Sequence, residues 1–295
     1  MMNSYFRRKG VPTGATLLRL PDRRWRFIPS SWALMLKESK NRVLSCSFEF
    51  GQWLFVSLIA LVSLSTFPIM GSANELLADQ ILHISCNGDA SDQSDLKHPV
   101  ENQGVKFFSD RLEQRSIACF FGGDDYLKIP NHSAFSSSRF TIAAWVLAEG
   151  SGNETNRAAI VSNYNGGGTA QHYGINMDKA VAAVFLDDGK ALDGARDVSG
   201  TSLTDGKWHH VAAVFENGVK TKLYVDGTFR RQSTGLMPAS ITPAGDLYIG
   251  RGGDKEGFEQ RWTGSIDEVR IIGRALSGDE VGLLAAIIDL GTAQE

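Results

Sequence analysis

Downstream of Ile81 the chain alternates between short apolar segments and turn-forming residues. Valine, isoleucine and aromatic residues recur at every second position in segments of about five to seven residues, which is typical of β-strands. Glycine follows Asn217, Asp226 and Asp188, where a tight hairpin requires positive φ. These features predict an all-β fold in which two antiparallel sheets form a jelly-roll sandwich. The segments are FTIAAWVLAEG, KWHHVAAVFENG, TKLYVDGTFR, DLYIGR and GSIDEVRII.

One short helix is expected near the C-terminus. Ser277 can cap its first turn, and Glu280, three residues later, completes a capping box. Leu276 can pack against Val281 across the start of the helix. The apolar stripe then continues through Leu284, Ala285 and Ile288. We therefore expect one domain over residues 81–288, closed by this helix.

The first 73 residues have the order of an export signal. Residues 1–52 are basic and are expected to form a disordered leader, with Met35 as an alternative start. The apolar segment WLFVSLIALVSL begins at Trp53, and small residues follow it up to Ala73, where we expect cleavage. A spanning helix needs roughly 20 apolar residues, more than this segment has. We predict a secreted, periplasmic or cell-surface protein. The alternatives are a membrane anchor formed by uncleaved residues 53–73 and a buried core helix.

Charge and motif content exclude several functions. The net charge of -3 provides no basic field for the phosphates of a nucleic acid. Glycoside hydrolysis needs a pair of carboxylates that face one groove, whereas strand alternation places Asp267 and Glu268 on opposite faces. The pair Asp124 and Asp125 suits a turn, and the sequence contains no GxSxG, HExxH or Walker motif. The sequence therefore predicts a protein that is not an enzyme.

Two adjacent histidines, His209 and His210, invite a metal or catalytic interpretation. Neighbouring residues of a strand point to opposite faces, so these two rings cannot easily share one ligand sphere. We expect both histidines to have structural roles.

Four passages taken together resemble the laminin-G-like jelly-roll domain of the concanavalin-A-like lectin and glucanase superfamily, as found in exported bacterial proteins. The resemblance runs from Ile81 to Leu284. It implies a jelly roll that serves as a carbohydrate-binding, adhesive or accessory module. The passages are CNGDASDQS with IACFFGGDDYLKIP; FTIAAWV; DGKWHHVAAVF with LYVDG; and LYIGR with GSIDEVRIIGRALSGDEV.

Two cysteines depart from the usual pattern of this family. Cys86 stands where an aromatic residue is usual, and Cys119 stands where tyrosine is common. The resemblance places both in early strands that lie close together, and an exported protein meets an oxidising compartment. We predict a disulfide between them; the alternative is two buried thiols.

A calcium site is also predicted. Alternation in SIDEVRII places Asp267 on the core face, where a carboxylate requires hydrogen bonds or a cation. Asn87, Asp89 and Asp92 supply oxygen ligands of the kind that Ca²⁺ takes. The resemblance points the same way, because related jelly rolls hold a structural calcium between the first loop and the last strand. The alternative is an Asp267 that is only hydrogen-bonded.

Sugar binding needs aromatic platforms beside planar polar groups, and loops concentrate such residues. We expect a glycan or cell-surface polysaccharide as the partner of a non-catalytic, exported carbohydrate-binding or adhesive module. A glycoside hydrolase of the same fold and a structural or protein-binding envelope protein are the alternatives. The candidate ligand-binding residues are Tyr164, Asn165, Tyr173, Arg251 and Trp262.

Overall fold

The structure, a computed structural model, describes residues 15–19, 25–29, 73–109, 117–149, 157–164, 171–187, 192–196, 201–216, 220–233, 240–253 and 260–287. The chain divides into two compact units, residues 1–69 and 70–295. In the first unit, β1 (Ala15–Arg19) pairs antiparallel with β2 (Trp25–Pro29). The apolar segment that begins at Trp53 lies outside the described residues. No helix in the described ranges is long and apolar enough to cross a membrane.

The second unit contains two antiparallel sheets. The first is seven-stranded, with strand order β12-β11-β10-β9-β16-β7-β4. Its strands are β4 (Glu101–Gln103), β7 (Tyr126–Ile129), β9 (Arg157–Ser162), β10 (His172–Asp178), β11 (Val181–Asp187), β12 (Leu192–Arg196) and β16 (Leu247–Ile249).

The second sheet is eight-stranded and has strand order β15-β14-β13-β8-β17-β6-β5. The eighth strand, β3, pairs with the second half of β17, whereas β6 pairs with the first half. The strands are β3 (Gln80–Ile84), β5 (Lys106–Ser109), β6 (Ile117–Gly122), β8 (Arg139–Ala148), β13 (His209–Glu216), β14 (Lys222–Val225), β15 (Thr228–Gln232) and β17 (Thr263–Ile272).

The core lies between the two sheets. Alternate residues of each strand point into it, because successive side chains of a strand face opposite ways. The rings of Phe140 and Phe215 stack there with centroids 4.4 Å apart, and Phe121 is fully buried beside them in the same cluster. The predicted all-β jelly-roll sandwich is confirmed.

The predicted C-terminal helix, α2 (Gly278–Ala286), is confirmed, and Ser277 and Glu280 form the expected capping box. It covers the outer face of the eight-stranded sheet, where Val281 and Leu284 pack in one cluster with Ala143 and with other apolar side chains. We call this surface the covered face. A four-residue helix, α1 (Ala73–Leu76), and a 3-10 turn (Ser133–Phe135) complete the fold. Ile288 lies outside the described residues.

The predicted hairpin turn at Asp226 is present. Asp226 and Gly227 both have positive φ, 52° and 69°, and they connect β14 to β15 as a two-residue hairpin turn. The glycines after Asn217 and Asp188 lie outside the described residues.

Cys86 and Cys119 form the predicted disulfide, with Cα atoms 5.2 Å apart, so the alternative of two buried thiols is excluded.

Candidate functional site

The outer face of the seven-stranded sheet carries a row of residues that crosses six strands. Their neighbours along the strands, among them Val184 and Leu127, lie in the core, so the row lies on the outer side. We call this surface the open face. In register order the row consists of Phe185, Gly174, Ser162, Tyr248, Lys128 and Glu101.

One end of the open face is an aromatic cluster around His172. The ring of Tyr164 meets the imidazole edge-on at 4.5 Å between centroids, and the ring of Phe185 lies 5.7 Å from it. The Oδ2 atom of Asp187 is 3.9 Å from Nε2 of His172. His172 is buried, whereas the other three side chains are half-buried. Aromatic surface beside a carboxylate is suited to a sugar, because a ring can pack on the apolar side and oxygen atoms can bind the hydroxyls.

The environment of Tyr164 raises the pKa of its phenol. Burial is the larger cause, and the negative charge of Asp187 adds to it. The phenol is therefore neutral at physiological pH, and its oxygen can both donate and accept a hydrogen bond.

The other end of the open face pairs aromatic rings with cations. Tyr126 and Tyr248 lie 5.9 Å apart, and the guanidinium of Arg251 covers the Tyr126 ring at 4.8 Å. Arg251 also donates a hydrogen bond from Nε to the carbonyl oxygen of Gly253, at 2.9 Å. Lys128 contacts Asp246 at 3.1 Å. The planar guanidinium is thus fixed against a ring, a geometry that suits stacking and hydrogen bonding to a flat polar ligand.

Small residues lie in the middle of the row, between the two ends. The Ser162 hydroxyl donates to the carbonyl oxygen of Gly252 at 2.8 Å and accepts from the backbone N–H of Tyr164 at 3.1 Å. A Cβ atom on Gly174 would lie 2.6 Å from Cζ of Phe185 and 2.5 Å from the carbonyl oxygen of Val161. Only glycine therefore lets the Phe185 ring lie across the sheet at this point.

The structure separates the five predicted ligand-binding residues. Tyr164 and Arg251 lie on the open face. Tyr173 and Trp262 have no exposed surface and lie in the core, so their prediction as ligand platforms is corrected: a fully buried ring cannot contact an external ligand. Asn165 lies outside the described residues.

Sequence reasoning missed Phe185 and Tyr126 on this face, together with Tyr248, which is buried and packs beside Tyr126. All three lie on strands, whereas the sequence prediction considered residues in loops. The signal was alternation: in LYI and YLKI the aromatic residue or lysine is flanked by core residues, so it must face outward.

The oxygen ligands predicted for calcium are already engaged in hydrogen bonds. The carboxylate of Asp92 accepts from the backbone N–H groups of His83, Ser94 and His98 and from the Ser94 hydroxyl, at 2.8–3.0 Å. Burial raises the pKa of Asp92, but these hydrogen bonds outweigh it and hold the pKa below its usual value. Asp89 is exposed and accepts from the backbone and hydroxyl of Ser91. Both carboxylates thus stabilise the loop after β3.

Asp267 is buried, and its Oδ1 accepts from the backbone N–H of Glu268 at 2.9 Å. The prediction that it shares the core face with Val269 is corrected: the register of β17 shifts between Asp267 and Arg270, so Asp267 pairs with Trp145 on the outer side of the sheet.

Asn87 is exposed in the loop after β3. Within the described ranges, no three His, Cys, Asp or Glu side chains form a group that could hold a metal ion, so Asp89, Asp92 and Asp267 are not brought together as a ligand set.

The adjacent histidines face opposite sides of β13. The ring of His210 meets Trp145 at 5.4 Å. Both nitrogens of His209 contact carboxylates: Nδ1 lies 2.9 Å from Asp226 and Nε2 lies 3.0 Å from Asp205. Because carboxylates only accept hydrogen bonds, this geometry requires a protonated imidazole, which ties a loop to the β14–β15 turn.

A two-sheet jelly roll with an aromatic and polar outer face defines a lectin-like domain. The family model Laminin_G_3, described as the concanavalin A-like lectin/glucanases superfamily, matches residues 121–282. The match covers more than half of the chain, so the chain belongs to this family. No curated protein sequence matches the chain.

Solved structures share this fold. The binding domain of Paraclostridial Mosquitocidal Protein 1 is 14% identical with a TM-score of 0.59, and the match covers 71% of this chain and 52% of that one. A structure of botulinum neurotoxin type C, whose cell entry depends on interaction with two ganglioside molecules, is 13% identical with a TM-score of 0.57, covering 70% and 51%. The chain thus spans about half the length of these two structures.

A third structure with this fold is shorter. Domain 4 of AbnA, a GH43 extracellular arabinanase from Geobacillus stearothermophilus, was solved in complex with arabinotriose. It is 16% identical with a TM-score of 0.54, and the match covers 70% of this chain and 98% of that domain. At these identities the likeness establishes the fold.

Proposed function

We propose that this protein is an exported, non-catalytic carbohydrate-binding module whose ligand lies on the open face. One observation carries the proposal: the row across six strands joins the Tyr164–Phe185 cluster at one end to the ring-stacked Arg251 at the other. The fold family supports it, as does the arabinotriose complex of a similar domain. Half-buried aromatic and planar polar side chains on strands, or directly after them, are suited to hold a sugar chain.

Glycan binding is tested directly with the full chain on a glycan array. Tyr164→Ala and Phe185→Ala should each weaken binding about tenfold, because each removes aromatic contact surface worth roughly 1.4 kcal/mol. Phe229→Ala is the control, since Phe229 is an exposed aromatic residue on an edge strand of the other sheet. Equal losses in all three variants, or no binding by the wild type, would contradict the proposal.

The absence of catalysis is tested by release of reducing sugar from the glycans that bind. The acidic pair Asp267 and Glu268 is suited to a structural role, because the Glu268 carboxylate contacts His83 at 3.0 Å and Arg270 at 2.5 Å. We expect binding without release. Sugar release that is lost in Glu268→Gln would instead indicate a hydrolase.

Export is supported by the disulfide, because disulfides persist in oxidising compartments outside the cytoplasm. A fusion of residues 35–80 to a reporter that is active only after export should be active. A reporter retained in the cytoplasm would contradict export.

Calcium stays a prediction of the sequence. If the protein binds calcium in its folded state, chelation lowers the melting temperature, and Asp267→Asn abolishes this dependence. A melting temperature that chelation leaves unchanged would assign Asp267 to hydrogen bonding alone.

A further inference from the structure

The two ends of the open face differ in charge. Lys128 is neutralised by Asp246, whose carboxylate lies 3.1 Å away. Arg251 is held against the Tyr126 ring and by the Gly253 carbonyl oxygen. At the aromatic cluster the charge next to Tyr164 and Phe185 is the carboxylate of Asp187. The half-buried rings of Tyr164 and Phe185 therefore lie beside a negative charge.

We propose that the aromatic cluster at the His172 end of the open face accepts uncharged sugars and rejects anionic ones, and that Asp187 sets this preference. The inference rests on the proposed function and names the substrate class of the same face. Asp187 is the last residue of β11 and lies directly opposite His172 in the register, so it borders the cluster that a sugar would contact.

The carboxylate lies within reach of the cluster, because Oδ2 of Asp187 is 3.9 Å from Nε2 of His172. The charge of Asp187 contributes to the raised pKa of Tyr164, after the larger effect of burial, so its field reaches the phenol oxygen. Residues 74–295 carry 30 acidic and 20 basic side chains, a formal charge of -10, so the long-range field of the domain has the same sign. An anionic sugar would meet repulsion during approach and again at contact.

The test compares matched pairs of ligands on the full chain: neutral oligosaccharides and their uronic acid counterparts of equal length and linkage. The wild type should bind the neutral member at least about tenfold more tightly at low salt, and the ratio should shrink at high salt, because salt screens exposed charges. Asp187→Asn should improve binding of the uronic acid member about three- to tenfold and leave the neutral member within about twofold, because it removes one close repulsion.

Asp279→Asn is the control, because it removes the same charge from an exposed position on α2, on the other side of the sandwich. It should change neither affinity. Wild-type protein that prefers uronic acids, or a preference that neither salt nor Asp187→Asn alters, would overturn the charge inference and leave carbohydrate binding intact. If no neutral or acidic oligosaccharide binds, the proposed function fails and this inference fails with it.

Discussion

The two sheets of the sandwich use their outer faces in opposite ways. On the covered face, α2 buries apolar side chains, and beyond it Glu268, Arg270 and His83 form a buried hydrogen-bonded network. On the open face, no described helix covers the row, and Tyr164, Phe185 and Arg251 remain half-buried. A sandwich needs only its inner faces for the core, so one outer face can add stability while the other is available for a ligand.

The largest expected effect is the loss of the hydrogen-bonded network on the covered face. Burial raises the pKa of Glu268, but the hydrogen bond from His83 and the charge of Arg270 hold it below its usual value, so the group is ionised. Glu268→Ala removes the carboxylate that pairs with the buried Arg270 guanidinium and should lower the free energy of unfolding by about 3–5 kcal/mol. Urea unfolding measures this. Glu101→Ala, on the open face, should change it by no more than about 0.5 kcal/mol. Equal losses of unfolding free energy in the two variants would contradict the different roles assigned to the two faces.

The disulfide provides the second test, because both cysteines belong to the side of the eight-stranded sheet. The double variant Cys86→Ser and Cys119→Ser opens a link between residues 33 positions apart and should cost about 2–5 kcal/mol. Glycan binding should persist under conditions where the variant is folded, since the open face lies on the other sheet. Thiol titration of the denatured, unreduced wild type should detect neither cysteine; two free thiols would contradict the bridge.

A glycine-to-alanine substitution should change the stability of the protein in opposite directions on the two faces. Gly174→Ala places a methyl group against the Val161 carbonyl oxygen and the Phe185 ring, and should destabilise the protein by about 1–3 kcal/mol and weaken glycan binding. Gly282→Ala on α2 meets only the Gly227 carbonyl oxygen, 3.9 Å away, and should stabilise by about 0.5–1 kcal/mol. Thermal unfolding of both variants checks the signs. A stable Gly174→Ala variant with normal binding would show that the Phe185 ring is not confined.

The smallest effect concerns pH and His209. The hydrogen bond to Asp226 raises the pKa of His209, burial opposes this, and Asp205 raises it further, with a raised pKa as the result. The stabilisation is therefore fully present below the ordinary pKa near 6.5 and is lost as the pH rises through the raised value. We expect a loss of no more than about 1 kcal/mol, since the two carboxylates are partly exposed. Melting curves across this range should show a decline that is absent in His209→Gln.

The sequence predicted features that depend on local chemistry. Ser277 and Glu280 define a helix start by themselves, and Asp226–Gly227 defines a turn, because backbone geometry restricts the residues at these positions. The disulfide came from resemblance, which supplied the proximity that local pattern cannot.

The sequence failed where the choice of face depends on tertiary packing. In HYGINMD, Tyr173 shares its alternation with Ile175 and Met177, so the pattern itself indicates the core face, which the prediction of Tyr173 as a loop residue overlooked. Phe185 lies in VAAVFLD, a run that is apolar on both sides, and only pairing with Gly174 reveals that its ring faces outward. Trp262 was assigned to a loop, whereas it packs fully within the core.

The row across the open face has a consequence for how the ligand relates to folding. Its members come from six strands between residues 101 and 248, and strands adjacent in the sheet are distant in sequence, as with β9 beside β16 and β16 beside β7. No hairpin or fragment of the chain contains the whole surface. Carbohydrate affinity would then depend on assembly of the entire sheet. A bound sugar chain would contact strands that are far apart in sequence, and it would stabilise the folded sheet because the unfolded chain cannot form the same surface.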